Sequence, residues 1–229
     1  MRIGLGRAMN RLVYFSVPGR AEASRVALAL SSLDWEDVEV NGETYQKMKN
    51  DGEMPWDMLP ILQTQRGTLA ESSAILRYAG KEAGLVPEDH YQAAKADEFI
   101  DGMGPLARAL DTTFGIADLD DRIALRTALF EEGGEGGENL QLLDKKVGES
   151  VTGWAANTDS MSIADLKLFT ELFALFSGNY DGIEASVLSR YPNLLAYHSK
   201  VANDERISSH YKNVTADDIR WTFLPGAFQ

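Results

Sequence analysis

LVYFSVPGRAEASRVALAL, residues 12–30, changes period within itself. Arg11 to Ser16 is rich in residues that favour strands, and Pro18-Gly19 follows as a turn. From Ala21 the apolar residues Ala23, Val26, Ala27, Leu30 and Leu33 recur at spacings of three and four, the mark of one helix face. Trp35 to Val40 (WEDVEV) then alternates apolar and acidic residues, as a half-exposed strand does. Strand, helix and strand together make a β-α-β unit.

Working outward, Tyr45 to Lys49 reads as a short, poorly patterned helix or loop. Leu59 to Leu62 starts a strand, and Arg66-Gly67 turns it into Thr68 to Ala70 as a compact hairpin. Ser72 opens a helix with Ile75, Leu76, Ala79 and Ala83 on one face, closing at Gly84. Residues 11–85 therefore predict the order β-α-β-α-β-β-α, preceded by a leader of residues 1–10 and followed by a linker at 86–90. Residues 91–229 show only helical periodicity. Helices are expected over Tyr91 to Phe114, Asp121 to Gly148, Ser162 to Ser177 and Leu188 to Ala202, with a last turn near Arg206. The GGEGG run from Gly133 must interrupt the second of them, since each glycine costs a helix ~1 kcal/mol. The expected architecture is a small α/β domain followed by a larger all-helical one.

Composition narrows the function. A net charge of -13 argues against nucleic acid and anionic membrane surfaces, both of which are held by Lys and Arg. No apolar run is long enough to span a membrane, and the leader lacks the apolar core of a secretory signal. The chain has no cysteine, which removes protein-thiol nucleophiles and zinc-thiolate sites, so any sulfur chemistry must use a thiol brought by the substrate. His90, His198 and His210 lack metal-like spacing and read as solvated or packed; no metal is expected. A cytoplasmic location is the expectation.

Three positions invite chemistry. Tyr14 ends the first strand just before a helix start, where a positive dipole end points; the alternative is a core aromatic. Pro60 is either a trans proline at a strand start or a cis proline that leaves the Leu59 backbone free to pair with an extended ligand. Ser72 is either a simple N-cap or, with Glu71 beside it, part of an anion- and ammonium-binding helix start. The aromatic tail (Trp221, Phe223, Phe228) is expected to pack outside the helical domain or to fold over a pocket.

Residues 12–30, together with MLPILQTQRGTLAESSAILRYAGKEAGL (residues 58–85) and Ser162-Ile163-Ala164-Asp165, resemble cytosolic glutathione transferases of the tyrosine type, near the sigma and pi classes. The Ser-x-x-Asp spacing has its own warrant as a near capping box. The resemblance runs from Arg11 to about Tyr211. It implies a thioredoxin-like first domain that binds glutathione as co-substrate, and an all-helical second domain that shapes a site for a small apolar electrophile.

Carried over residue by residue, Tyr14 is the catalytic hydroxyl and Arg20 sits near the thiol. Tyr45 and Lys49 flank the tripeptide, Lys49 at its glycine carboxylate. Leu59 pairs through its backbone beside a cis Pro60, and Glu71 and Ser72 hold the γ-glutamyl end. By position, Phe15, Val17, Asp111 and Gly115 face the electrophile. A homodimer is implied, with Trp56 either its key or a loop anchor within one chain. Two departures stand out: Pro105 replaces an aspartate that reaches the other subunit's glutathione, with Asp101 one turn earlier, and Asp57-Met58 replaces Gly-Gln or Gly-Lys before Pro60. Alternative activities on the same scaffold are a glutathione-dependent isomerase of the prostaglandin D synthase kind and a non-catalytic ligand-binding or structural homologue. A cysteine-type or glutaredoxin-like enzyme is excluded.

Overall fold

A computed structural model describes residues 9–229, and the chain divides between Val86 and Pro87 into two units with separate cores. The first is built on four strands: β1 (Asn10–Phe15), β2 (Trp35–Val40), β3 (Ile61–Thr64) and β4 (Gly67–Ala70). Their order is β2-β1-β3-β4, with β1 parallel to β2 and antiparallel to β3, and β3 antiparallel to β4. Helices α1 (Glu22–Leu30), α2 (Gly42–Asn50) and α3 (Ser72–Glu82) complete this thioredoxin-like unit, α1 packing on α3. Leu12, Ile61 and Leu62 of the central strands and Val26, Ala27 and Leu28 of α1 are wholly buried.

Several boundaries shift, each for a local reason. Asn10 belongs to β1 rather than to the leader, paired with Trp35 and donating to Asp34 O at 2.9 Å; residues 1–8 of the leader lie outside the described residues. Helix α1 stops at Leu30, before Leu33, because the Ser31 hydroxyl donates back to Leu28 O and accepts from Leu33 N–H. Residues 42–50 form a full helix, capped by Asn41 accepting from Thr44 N–H at 2.9 Å. Its periodicity is weak because Met48 is its one buried residue. The Leu59-Pro60 bond is cis, and the ladder of β3 begins only at Ile61. Ser72 is not the N-cap of α3. Glu71 holds that place with φ 68° and ψ 115°, without a side-chain cap, and Ser72 is the first helical residue.

The second unit is helical: α4 (His90–Gly102), α5 (Gly104–Asp111), α6 (Leu119–Phe130), α7 (Glu135–Gly148), α8 (Ile163–Ala174), α9 (Pro192–Ala202) and α10 (Glu205–His210). The expected helix over 91–114 is broken at Met103, between Gly102 and the Gly104-Pro105 start of α5; proline suits a first turn, where its missing N–H is not needed. The glycine run is only half a loop. Gly136 and Gly137 lie buried inside α7, where a Cβ would meet Leu129 O at 2.8 Å and Glu131 O at 2.6 Å respectively. They let the end of α6 approach the α7 backbone. Helix α8 opens with the expected capping box between Ser162 and Asp165, and its residues are almost all buried.

Instead of packing outside the helical unit, the aromatic tail enters its core. Thr222 and Phe223 are fully buried, and Trp221 Nε1 donates to Ser177 O at 2.9 Å. Phe223 meets Phe169 at 5.5 Å between centroids, and Phe228 meets Phe173 at 5.6 Å. His198 is packed between them, its Nε2 2.7 Å from Thr222 O, stacked on Phe169 and edge-on to Phe173 and Phe228. Burial pushes its pKa down to about 4, so the neutral ring donates from Nε2 to that carbonyl. Among the described residues no helix is long and apolar enough to cross a membrane.

Candidate active site

Strand register gathers the candidate residues of the first unit at one end of the sheet. Val13, Ile61 and Ala70 lie in one row across β1, β3 and β4. One residue beyond that row come Tyr14 on β1, cis Pro60 before β3 and Glu71 after β4. The chain therefore delivers a phenol, an unladdered Leu59 backbone and a helix start to the same edge.

Tyr14 is 8% exposed, and its hydroxyl accepts from the backbone N–H of Arg20 at 3.3 Å. That N–H belongs to the 3-10 turn Gly19–Ala21 that leads into α1, so the phenol oxygen sits at the positive end of a helical segment. Gly19 permits the approach: its φ is +42°, and a Cβ there would lie 2.8 Å from the Tyr14 hydroxyl. Phe15 links Tyr14 to Tyr45, with centroids 5.4 and 5.6 Å away. The Tyr45 hydroxyl donates to Asp57 O at 3.1 Å, tying α2 to the loop before Leu59. Lys49 lies exposed in the last turn of α2.

Backbone strain marks the same edge. Among the described residues the non-glycine residues with positive φ are Asp57 (53°), Glu71 (68°) and Asn157 (55°). Such conformations cost ~1–3 kcal/mol and persist where surroundings or function impose them. Asn157 has a structural reason: its Oδ1 accepts from Val151 N–H and Thr152 N–H at 3.0 and 3.2 Å. Glu71 has no such cap and stands exposed at the start of α3.

The description "Glutathione S-transferase, N-terminal domain" matches residues 10–81, and "Glutathione S-transferase, C-terminal domain" matches residues 136–213. The chain belongs to the glutathione S-transferase family. Its relatives include a probable glutathione S-transferase 6 of Caenorhabditis elegans, 25% identical over 207 residues, covering 89% of this chain and 95% of the relative. The hematopoietic prostaglandin D synthase of Gallus gallus is 28% identical over 195 residues, covering 83% and 89%. A solved structure of prostaglandin synthase D of Nilaparvata lugens shares the fold with a TM-score of 0.77, at 22% identity, covering 90% of this chain and 98% of the other.

Within this glutathione transferase fold, the residues assigned to the electrophile fall in different units. Phe15 and Val17 follow Tyr14 in the first, both half-buried. Asp111 and Gly115 are exposed at and just past the end of α5 in the second, on either side of Phe114. Phe114 is 57% exposed and lies against the buried Arg126 guanidinium, 5.6 Å from its centroid. Pro105 is half-buried in the first turn of α5, and Asp101 is exposed on α4. Trp56 projects from the loop before Leu59 at 68% exposure.

Sequence reading missed Arg25. This α1 residue is 4% exposed and forms ion pairs with Glu22 at 3.1 Å and Asp37 at 2.8 Å. It also donates to Phe15 O at 3.2 Å, Val17 O at 2.8 Å and Pro18 O at 3.3 Å. Burial opposes its charge, yet Glu22 and Asp37 outweigh burial and hold its pKa above the ordinary value. An available signal was the Glu22/Arg25 pair, charges of opposite sign three apart on a helix otherwise made of small and apolar residues.

Proposed function

We propose that the chain is a glutathione transferase in which Tyr14 stabilises the thiolate of bound glutathione for attack on small apolar electrophiles. The observation that carries this reading is the common edge: Tyr14, cis Pro60 and Glu71 one step beyond the row Val13–Ile61–Ala70. β1 and β4 are two strands apart, about 10 Å at the usual strand spacing. Glutathione laid across that edge puts its cysteine near Tyr14, its cysteinyl amide along Leu59, and its γ-glutamyl end at Glu71 and Ser72. Lys49 takes the glycine carboxylate, and Tyr45 packs beside it.

The chemistry follows from the thiol. With a pKa of about 8.5, only a few per cent is thiolate at neutral pH. A hydrogen bond donated by the Tyr14 hydroxyl to sulfur favours the anion, and the Arg20 side chain and the helical N-terminus add positive potential. The thiol proton leaves to solvent; the sulfur lone pair forms the new C–S bond, and the electrophile expels its leaving group with the bonding pair. Tyr14 remains protonated throughout, as donor to the nucleophile. Phe15 and Val17 are the electrophile-facing residues that this reading assigns in the first unit, and Asp111 and Gly115 those that it assigns in the second. The acting unit is a homodimer, with exposed Trp56 as the side chain assigned to the contact. The location is cytoplasmic.

Replacing Tyr14 by Phe tests the assignment. Glutathione should still bind, measured by calorimetry, while turnover of a standard aryl halide falls roughly a hundredfold, the scale of losing one preorganised donor to an anion. Unchanged turnover removes Tyr14 from the role. The likeness to the Gallus gallus prostaglandin D synthase favours a second reading, an isomerase that returns glutathione unchanged. Both use Tyr14, and product analysis separates them: a thioether adduct in one case, glutathione recovered in full in the other. Glutathione capture without either product would leave a ligand-binding homologue.

A further inference from the structure

We propose that Arg25 is the positioning residue for Tyr14: it fixes the turn of residues 15–18 so that the Tyr14 hydroxyl and the Arg20 N–H meet. This rests on the reading of Tyr14 as the thiol's hydrogen-bond donor.

The turn joins two elements whose ends must register. Tyr14 leaves β1 at one side, and Gly19–Ala21 begins the helical segment at the other. Three residues between those elements, Ser16 to Pro18, have no sheet or helix of their own. A buried guanidinium supplies what they lack. It donates to the carbonyls of Phe15, Val17 and Pro18, which spans the turn from end to end. The same group lies 5.8 Å from the centroid of the Tyr14 ring, and Asp37 fastens it to β2. The turn, the phenol and two neighbouring elements are thus linked through one planar ion.

Charge alone does not explain its presence. Glu22 and Asp37 pair with Arg25 directly, so the three ions sum to a net negative charge, the wrong sign to favour a thiolate nearby. What Arg25 contributes is geometry. Its fork of donors matches several acceptors at fixed angles, which a lysine ammonium at the end of a flexible stem cannot do. The Tyr14–Arg20 contact is 3.3 Å, already long for an N–H···O bond, and Gly19 has no room to spare beside the phenol. A small drift of the turn therefore loses the contact or drives Gly19 into the ring.

The test follows glutathione thiolate absorbance against pH on Arg25→Lys, Arg25→Met and Asp37→Asn, with Tyr14→Phe alone and combined with each. Positioning predicts that both Arg25 variants raise the apparent pKa of the bound thiol by about one unit, with kcat falling ~10-fold below that pKa. The KM for glutathione should change less than threefold. Lysine should fail to rescue, and Asp37→Asn should give a smaller shift of the same sign. Combined with Tyr14→Phe, the Arg25 effect should vanish. A thermal unfolding scan identifies variants that do not fold; Asp37→Asn, altering a partly exposed partner, then carries the comparison. A bound-thiol pKa unmoved in the folded variants, or an Arg25 effect that persists in full without the Tyr14 hydroxyl, overturns the proposal. A thiol pKa indifferent to Tyr14→Phe itself overturns the reading of Tyr14 instead, so the two failures are distinguishable.

Discussion

Arg25 and Asp165 are mirror images. Each is an ion buried to within 4% of completely, one in each unit, and each fastens an irregular segment to a helix. Arg25 donates to three carbonyls of a turn; Asp165 accepts from Ala155 N–H at 2.7 Å, Ser162 N–H at 2.8 Å, the Ser162 hydroxyl at 3.1 Å and the Tyr197 hydroxyl at 3.0 Å. They differ in what they leave open. Asp165 spends its acceptors on closing the start of α8, a helix buried on nearly every side. Burial raises its pKa, and the donors from Ala155, Ser162 and Tyr197 oppose that rise. Arg25 instead holds a turn in place beside a phenol that stands at the sheet edge. Identical physics builds a core in one unit and fixes a turn beside a tyrosine hydroxyl in the other.

The sharpest way to break the comparison is to remove Asp165. Asp165→Ala strands two backbone donors and two hydroxyls, and should cost about 3 kcal/mol or more, read as a loss of helical signal from the second unit in denaturant titration. A cost below ~1 kcal/mol would mean that α8 does not depend on its cap.

A second contrast concerns acid. His198 has a folded pKa of about 4 against an ordinary 6.5. Between those values the unfolded chain takes the proton first, so stability rises with pH through the window and is lost as pH falls from 6.5 toward 4. The loss should approach 1.4 kcal/mol per pH unit and total roughly 3 kcal/mol. His198→Leu should flatten that slope in chemical denaturation at a series of pH values. A slope equal to that of the unaltered protein would place the acid sensitivity elsewhere.

The smallest effect compares strain in the two units. Glu71→Gly relaxes a positive φ that no cap supports, and should leave stability level or raise it by up to ~1 kcal/mol while weakening glutathione binding. Asn157→Gly keeps the backbone but deletes the acceptor for Val151 and Thr152, and should destabilise by about 1 kcal/mol. Equal changes in the two would show that strain at Glu71 is structural rather than functional.

How far the sequence could be read depended on whether burial leaves a period. Strand β2 emerged with its observed ends because WEDVEV alternates, and α8 because its capping residues sit at a fixed spacing. Helix α2 was blurred because one buried methionine makes no stripe. Residue type offers Ser72 as one candidate cap, whereas the backbone gives that place to Glu71 in a conformation its side chain does not advertise. The break at Met103 carries local marks, Gly102 and Gly104-Pro105, whereas the buried Gly136-Gly137 pair answers to the Leu129 and Glu131 carbonyls, an approach that residue type alone does not reveal. At the site, Tyr14 could be singled out by its place in the β-α-β pattern and Pro60 by its place at a strand start. Arg25 shows in the sequence only as the partner of Glu22, since its carbonyl acceptors lie seven to ten residues upstream.

The hairpin turn at the opposite end of the sheet, where Thr64 pairs with Gly67, exposes Gln65 and Arg66. Extra length there would loop into water and leave the row Val13–Ile61–Ala70 undisturbed. An added residue between Phe15 and Gly19 would instead slide a helix start past its phenol. A fluorophore or affinity handle thus belongs at Gln65-Arg66, and lineages carrying the fold have freedom to lengthen that corner but little to lengthen the other.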